Sequence, residues 1–343
     1  MEPKIKEVTD KKSWEDFLLN QENSPFLQSW NSGDQFEAIG DNVFRLGVFD
    51  GGNLVGVALV MKVEAKRGTF LYLPYGPVLD WKREEYFKAL IDYLKILAKE
   101  ENAIFVRVSP FLKNTEKNQE LFTANGFRPA PIHMLAEVLW LLDLSPSEEE
   151  LMMKMDKQTR YLIRRAEKEG VKIIKSRKLE DVEKFLELHQ ETVKRHSFTP
   201  YPDKYFKEQF RNFVCDDQAL MLLAEYQGET LATAMIMYYG DQGSYHHGAS
   251  THKFPKIPAS YLLQWEAIKE AKQRGKKIYS FWGIASDEEL EKNPKHPFKG
   301  ITLFKKRFGG YRYDLLHCQD LRLSKKYFVN WGIETLRRVK RGF

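Results

Sequence analysis

The segment LGVFDGGNLVGVAL at residues 46–59 decides the fold, because it returns 177 residues later, from position 46 to position 223, as LAEYQGETLATAMI. Both copies read as an apolar strand, a turn with glycine and a second apolar strand, and an ungapped alignment matches Gly51 with Gly228. A helical pattern and then an apolar strand follow each hairpin, at 83–101 and 103–110 and again at 259–276 and 277–285. The sequence therefore predicts one supersecondary unit that is used twice.

Length and composition are typical of a soluble protein. The 343 residues suffice for about two domains of 100–200 residues, and 43% are hydrophobic against 30% charged. The sequence has no apolar run of about 18 residues, as a membrane span needs, and residues 1–17 are too charged for a signal peptide. Cys215 and Cys318 predict no disulfide framework, so we expect a cytoplasmic location.

The positive charge is unevenly distributed. The net charge is +6, and basic residues concentrate at 154–177, at 299–312 and at 325–343. Such segments attract phosphates, although a solvated face is the more common explanation of any single run. The segment 299–312 contains no acid and carries FKKRFGG at 304–310, for which the first copy has no match. We therefore favour a function for this segment.

Alternating helices and strands predict an α/β fold with mixed sheets. We place the domain boundary near residue 145, giving domains at 1–145 and 146–319 with a cleft between them. The last segment, 320–343, lies beyond the repeat, and we expect its helix to pack back on the first domain.

The order of hairpin, helix, strand, short helix and Gly-aromatic-Arg resembles the acetyltransferase-like (GNAT) fold, here in tandem. Members that use acetyl-CoA carry a glycine-rich loop whose amides hold the pyrophosphate at a helix N-terminus. The corresponding segments here read YLPYGPVLDWK at 72–82 and GASTHKFPKIP at 248–258, without that loop. The resemblance therefore predicts an acyl donor other than acetyl-CoA.

Six short motifs in order resemble the Fem-type (FemABX) aminoacyltransferases, which build the cross-bridges of peptidoglycan. They are FLQS at 26–29, RYLIRRAEKEG at 160–170, TVKRHSF at 192–198, YHHGAS at 245–250, YSFWGI at 279–284 and GITLFKKRFGG at 300–310. The resemblance implies transfer of an amino acid from aminoacyl-tRNA to the stem-peptide amine of a peptidoglycan precursor, UDP-linked or lipid-linked. It implies no cofactor beyond aminoacyl-tRNA as co-substrate.

The chain departs from the family pattern at four positions. Ser32 and Phe36 stand where Trp and Lys are usual, Ser109 precedes the proline that follows an acidic residue in relatives, and Ser280 replaces Asp. The coiled-coil arm of some members has no space in this sequence. We therefore identify an armless and somewhat divergent member.

The candidate catalytic residues are Lys305 and Phe304, which the resemblance places beside the 3′ end of the tRNA. Lysine is a compact cation on a flexible stem and suits stabilisation of an oxyanion. The aromatic ring suits stacking on the terminal adenine. The alternative is that Phe304 and Phe308 are core contacts and that Lys305 is solvated. We favour function for Lys305 and a core position for Phe308.

Further residues are assigned to substrates. The resemblance directs Arg195 to the diphosphate of the precursor and gives substrate contact to Gln28, Tyr75, Gly76, Tyr245, Gly248, Trp282 and Gly283. For tRNA or phosphate binding we select Arg160, Arg164, Arg165, Lys306 and Arg307, because arginine binds phosphate bidentately. For the three arginines of 160–165, a solvated helix face is an equal alternative.

We predict no metal site. His246 and His247 are adjacent on a predicted strand and would point to opposite faces of the sheet. The expected partners are aminoacyl-tRNA and the peptidoglycan precursor, with peripheral contact to the inner membrane face, and the protein is expected to be a monomer. The alternatives are an acyl-CoA N-acyltransferase and a non-catalytic RNA-binding protein. The sequence does not specify the amino acid, the acceptor residue or the bridge length.

Overall fold

The computed structural model describes residues 2–22, 24–196 and 200–341. The chain forms two compact units, Met1–Glu137 with Asp314–Phe343, and Val138–Tyr313. The elements up to residue 137 are β1 (Lys4–Glu7), α1 (Lys11–Leu19), α2 (Trp30–Ile39), β2 (Asn42–Asp50), β3 (Asn53–Ala65), β4 (Gly68–Pro74), β5 (Val78–Leu79), α3 (Glu84–Glu100), β6 (Ala103–Ser109), α4 (Glu116–Ala124) and β7 (Phe127–Pro129).

The rest of the chain, from residue 138 onward, continues this alternation. Its elements are β8 (Val138–Asp143), α5 (Glu148–Lys154), α6 (Lys157–Lys168), β9 (Lys172–Ser176), α7 (Asp181–His196), α8 (Asp203–Val214), β10 (Ala219–Tyr226), β11 (Glu229–Tyr239), β12 (Gln242–Ser250), α9 (Ala259–Gln273), β13 (Ile278–Gly283), α10 (Asp287–Lys292), α11 (Lys299–Lys306), β14 (Tyr311–Asp314), β15 (Gln319–Arg322) and α12 (Tyr327–Arg341).

The two sheets have the same topology. The first has the order β1-β2-β3-β4-β6-β15-β7, with β5 paired to β3, and the second has the order β9-β10-β11-β12-β13-β8-β14. In each, the repeated hairpin precedes a parallel pair, β4 with β6 and β12 with β13, and one helix connects the parallel strands. The predicted α/β fold with two mixed sheets and a repeated unit is confirmed.

Both hairpins have a two-residue turn, but the two turns lie one residue apart in the sequence alignment. Asp50 pairs with Asn53 across Gly51–Gly52, whereas Tyr226 pairs with Glu229 across residues 227–228. In both turns φ is positive at both central residues, 57° and 90° in the first, 50° and 81° in the second, as a type I′ turn requires. Gly51 and Gly228, aligned in the sequence, therefore occupy successive turn positions.

The division of the chain differs from the predicted boundary near residue 145. Strand β8 pairs with β13 in the second sheet, and β15 pairs with both β6 and β7 in the first. Each parallel strand is thus completed by a strand from the other half of the sequence. Hydrophobic periodicity does not reveal this exchange, because the hydrogen-bonding needs of a distant strand decide where β8 and β15 pair.

Each unit has its own hydrophobic core. Helix α3 places one apolar stripe on the first sheet, consisting of Tyr86, Phe87, Leu90, Ile91, Leu94, Leu97 and Ala98. Helix α9 covers the second sheet with a broader apolar face that includes Leu262, Leu263 and Ile268. Helix α3 follows the 3.6-residue period that the sequence predicts.

A buried ion network ties the last segment of the chain to the first sheet. Arg107 on β6 is 1% exposed and donates to both carboxylate oxygens of Asp320 on β15, at 2.7 and 2.8 Å. The same guanidinium donates to Glu334 on α12 at 2.8 and 3.2 Å. Tyr327 also donates its hydroxyl hydrogen to Asp320, at 3.0 Å. The guanidinium of Arg107 is therefore ion-paired with two buried carboxylates inside the unit.

Replacing Asp320 should destabilise the protein strongly. In Asp320→Ala the buried guanidinium of Arg107 keeps Glu334 but loses its other carboxylate partner, and the Tyr327 hydroxyl loses its acceptor. Leaving buried donors of this kind without an acceptor should cost about 3 kcal/mol of unfolding free energy. Urea denaturation measures this loss. The matched control is Asp92→Ala, which removes an exposed partner of Lys95 and should cost less than about 1 kcal/mol. Equal losses in the two variants would contradict a stabilising role for the network.

Candidate active site

The second sheet opens where two parallel strands separate. Strand β12 pairs with β13 only from Gln242 to Ser244, opposite Ile278 to Ser280. Beyond this point β12 stays with β11, and β13 stays with β8. In the first unit the equivalent strands remain paired as far as Pro74 and Ser109. The opening therefore distinguishes the second unit from the first.

A bulge shapes the β12 side of the opening. Tyr245 pairs with Ile236 and His247 with Met235, so His246 is the inserted residue. The expectation that His246 and His247 point to opposite faces is wrong, because the bulge brings their rings to 4.0 Å between centroids. Burial lowers the pKa of His246 to about 3, so the ring is neutral. Among the described residues, no group of three His, Cys, Asp or Glu is placed to hold a metal.

The β13 side is built from irregular backbone. Trp282 has φ of 66°, and its amide donates to the hydroxyl of Ser280 at 3.2 Å instead of to a strand. Its indole meets the ring of His246 edge-on at 4.7 Å, which connects the two separated strands. The next carbonyl, of Gly283, accepts a hydrogen bond from the side chain of Lys305 at 2.6 Å.

Lys305 is the lysine at this opening. It lies on α11, is 7% exposed, and its Nζ is 5.9 Å from the ring centroid of Tyr245. Burial lowers the pKa of Lys305 from 10.5 to about 7. The side chain therefore changes between ammonium and amine near neutral pH, which is unusual for lysine and typical of functional sites.

Aromatic packing fixes helix α11. Phe308 is fully buried, as predicted, while the partly buried Phe304 contacts the ring of Tyr261 on α9 at 5.1 Å. Thr302 accepts a hydrogen bond from the amide of Ala285 at 3.0 Å, just beyond β13. Neither Tyr261 nor Thr302 was predicted from the sequence as a site residue. The threonine within the motif GITLF was the available signal.

Two glycines in the motifs are required by close approach. Gly310 has φ of 102°, and a Cβ there would lie 2.3 Å from the carbonyl oxygen of Leu141 on β8. A Cβ on Gly248 would lie 1.8 Å from the hydroxyl oxygen of Tyr245, so this glycine makes room for the tyrosine ring. Both positions therefore support the opening through packing.

The selected basic residues of α6 have different environments. Arg160 donates to the carbonyls of Met153 and Met155 at 2.9 and 2.6 Å and so closes the end of α5. Arg165 is 3.5 Å from Glu169. Arg164 is exposed. Arg164 is thus the member of the trio best placed to meet an external phosphate.

The basic residues at the end of α11 contact acids. Lys306 is 2.5 Å from Asp287 and lies over the Trp140 ring at 5.5 Å. Arg307 is 3.7 Å from Asp156. Phosphate binding by Lys306 and Arg307 stays a prediction, and it requires competition with these carboxylates.

Arg195 lies near the end of α7, beside the last residue of β12. Its guanidinium is exposed and donates to the carbonyl of Ser250 at 3.2 Å. Thr192, one turn earlier on α7, also hydrogen-bonds the backbone of Ser250. Residues 197–199 of the same motif lie outside the described residues. The motif therefore joins the end of α7 to the strand that carries Tyr245.

Gln28, Tyr75 and Gly76 belong to the first unit. The Gln28 amide is fully buried, accepts from the Leu59 amide at 2.8 Å and donates to the Pro74 carbonyl at 2.7 Å. A Cβ on Gly76 would lie 2.6 Å from this side chain. Tyr75 donates its hydroxyl hydrogen to the carbonyl of Ala136. These three residues have evident packing roles, and substrate contact by them stays a prediction.

The sequence resembles known proteins along most of its length. The sequence model of the FemAB family matches residues 9–128, 133–229 and 223–316. The chain belongs to the FemAB family. It is 22% identical over 375 residues to the "Lipid II:glycine glycyltransferase" of Staphylococcus epidermidis, covering 86% of this chain and 89% of that protein. The Staphylococcus aureus protein of the same name is also 22% identical, over 380 residues. The Fem-type resemblance is thereby confirmed.

Solved structures show the same fold. The crystal structure of FemX matches with a TM-score of 0.85 and 19% identity, covering 96% of this chain and 100% of that one. A tandem GNAT protein from the clavulanic acid biosynthesis pathway matches with a TM-score of 0.57 and 12% identity, covering 94% and 98%. The tandem GNAT-like fold of this FemAB family member is confirmed.

The depressed pKa of Lys305 predicts a specific effect of pH on stability. Between about pH 7 and pH 10.5 the unfolded chain binds a proton that the folded chain releases, so wild-type stability should rise with pH across this range. Lys305→Met should lack that rise. Urea denaturation from pH 6 to pH 9 measures it, with Lys306→Met as the control for losing a lysine from α11. Parallel curves for wild type and Lys305→Met would contradict a buried, proton-releasing Lys305.

Proposed function

We propose that this chain is a tRNA-dependent aminoacyltransferase. It transfers an amino acid from aminoacyl-tRNA to the stem-peptide amine of a peptidoglycan precursor and so builds an interpeptide bridge. Membership of the FemAB family supports this, as do relatives named lipid II:glycine glycyltransferase. The observation that carries the proposal is Lys305, a buried lysine with a pKa of about 7 where β12 and β13 separate.

The proposed reaction forms an amide from an ester. The nitrogen lone pair of the acceptor attacks the ester carbonyl, the C–N bond forms, and the C–O bond to the tRNA ribose breaks. The acceptor nitrogen loses a proton, and the ribose oxygen gains one. The Lys305 ammonium stabilises the tetrahedral oxyanion and donates a proton to the leaving ribose oxygen, and the proton that the acceptor nitrogen loses restores the ammonium. Burial brings the pKa of Lys305 to about 7, which suits a group that gives up its proton near neutral pH.

The surroundings of Lys305 suit this role. Its carbonyl partner, Gly283, holds Nζ in one place at 2.6 Å, so the cation is positioned before substrate arrives. Phe304, the preceding residue, is half-buried and is assigned to the terminal adenine of the tRNA. Arg195, exposed at the end of β12, is assigned to the diphosphate of the precursor.

The start of α9 favours a donor other than an acyl-CoA. In the GNAT fold the amides before and within the first turn of this helix bind the pyrophosphate. Here Pro255 precedes the helix by four residues and Pro258 is its N-cap. Proline has no amide hydrogen to donate, so this segment is poorly equipped for pyrophosphate.

The choice of donor is tested directly. Purified protein is supplied with charged tRNA or with acetyl-CoA, each with the same muropeptide acceptor, and mass spectrometry of the acceptor is the readout. We expect a mass increase of one or more amino-acid residues with charged tRNA alone. Acetylation would replace the proposal with an acyl-CoA N-acyltransferase. Binding of tRNA without turnover on either UDP-linked or lipid-linked muropeptide would favour a non-catalytic RNA-binding protein.

Replacing Lys305 should reduce turnover far more than it reduces folding. Lys305→Met retains the apolar stem but removes the ammonium, and we expect a loss of roughly 10²–10³ in kcat, the range for losing one oxyanion-stabilising group. Single-turnover assays with charged tRNA measure the effect.

The matched control is a lysine on the preceding helix. Lys292→Met removes an exposed lysine of α10, and we expect turnover within about threefold of wild type, as for a surface charge. Circular dichroism at matched temperature excludes unfolding. Wild-type turnover in Lys305→Met would remove this residue from the mechanism while leaving the family assignment intact.

A further inference from the structure

The last helix of the first unit, α12, buries polar side chains and exposes apolar ones. On the face of α12 that packs against the unit, the buried residues are Tyr327, Asn330 and Glu334. Glu334 is ion-paired with Arg107 there, at 2.8 Å. A helix at a protein surface normally buries its apolar side and exposes its polar side. Helix α12 does the opposite.

The exposed face of α12 is apolar. Its side chains are 47% exposed at Phe328, 62% at Val329, 71% at Leu336 and 73% at Val339. Positions 329, 332, 336 and 339 follow the three-and-four spacing of a single helical stripe, and Gly332 adds no polar atom to it. Trp331, 40% exposed, lies at its edge. A continuous apolar stripe of this kind marks an interaction surface.

Basic residues frame the stripe. The guanidinium carbons of Arg322 and Arg128 lie 5.0 and 5.9 Å from the ring centroid of Phe328. Lys325 and Lys326 precede the helix and are exposed. Arg337, Arg338 and Lys340 are exposed along its second half. The acid of this helix, Glu334, is buried, so the frame around the stripe is positive.

We propose that the stripe of α12 and its basic frame dock this protein on the surface of a bilayer that contains anionic lipids. The apolar side chains enter the boundary between headgroups and acyl chains, and the flanking Lys and Arg side chains meet the lipid phosphates. Among the described helices, none is long and apolar enough to cross a bilayer.

The chemistry favours lipid over the other occupants. A nucleic acid would satisfy the cations and leave Leu336 and Val339 against phosphates, which offer no apolar surface. A second copy of α12 would bury the stripe and bring two like-charged frames together, at an electrostatic cost. An anionic bilayer satisfies both the stripe and the frame. This inference rests on the surface of the first unit and does not require the proposed reaction.

Vesicle flotation tests the inference. The full chain is mixed with vesicles of phosphatidylcholine containing 30% phosphatidylglycerol, or with pure phosphatidylcholine. We expect flotation with the anionic vesicles and at least about tenfold weaker partitioning to the neutral ones, because anionic lipids attract each basic residue near the surface. Added salt should weaken the binding. Equal binding to both vesicles, or binding to neither, would overturn the proposal.

Two double variants separate the contributions. Leu336→Glu with Val339→Glu removes the apolar contact, and Arg337→Gln with Lys340→Gln reduces the frame; each should lower partitioning about tenfold or more with an unchanged melting temperature. The control is Ile96→Glu, which alters an aliphatic side chain of α3 that is 58% exposed. It should float as wild type does.

Other outcomes assign the surface elsewhere. Concentration-dependent dimerisation that Leu336→Glu with Val339→Glu abolishes, without vesicle binding, would make the stripe an interface between copies. Binding of an RNA hairpin that is lost in Arg337→Gln with Lys340→Gln and retained in the glutamate variant, again without vesicle binding, would assign the frame to nucleic acid. Either result would overturn the lipid proposal.

Discussion

A backbone carbonyl that is taken out of water needs a hydrogen-bond donor, and the parting of β12 and β13 leaves the carbonyl of Gly283 without one from the neighbouring strand. Lys305 supplies it, from a helix that follows β13 in the sequence. This pairing places a lysine where water is largely excluded, and the exclusion brings the pKa of Lys305 to about 7. The geometry and the acid–base character of the candidate site thus have one physical origin.

The same requirement organises the two sheets. Strands β6 and β13 each pair with a parallel strand on one side, which leaves hydrogen-bonding groups unpaired on the other side. A strand from the other half of the sequence pairs with each of these free edges. In the first unit, this covering strand also carries Asp320 to Arg107. Because Glu334 of α12 pairs with Arg107 in this ion network, the polar side of α12 faces inward and its apolar side faces outward. The surface that we propose for lipid docking therefore follows from how a sheet edge is completed.

Several residues were predictable because their signal is local. The repeated hairpin, the helical stripe of α3 and the unmatched FKKRFGG segment depend on spacing within a few residues, and the structure places them where the pattern predicts. The failures are equally specific. The alignment of Gly51 with Gly228 does not reveal that the two turns lie one residue apart, since Gln227 takes the first central position of the second turn with a positive φ. The two histidines share a side because a bulge at His246 interrupts the alternation of the strand, and nothing in their own sequence announces it.

The sequence by itself determined the repeated α/β unit, the family and the identity of Lys305 as the residue that distinguishes the second copy. Periodicity and motif order suffice for these, since they depend on contacts within one unit or on residue identity. Only the tertiary structure decided that β8 and β15 complete sheets built mainly from the other half of the chain, that Lys305 is buried against Gly283, and that α12 exposes its apolar face. These properties depend on hydrogen bonds and ion pairs between residues up to 227 positions apart, which a local pattern does not encode.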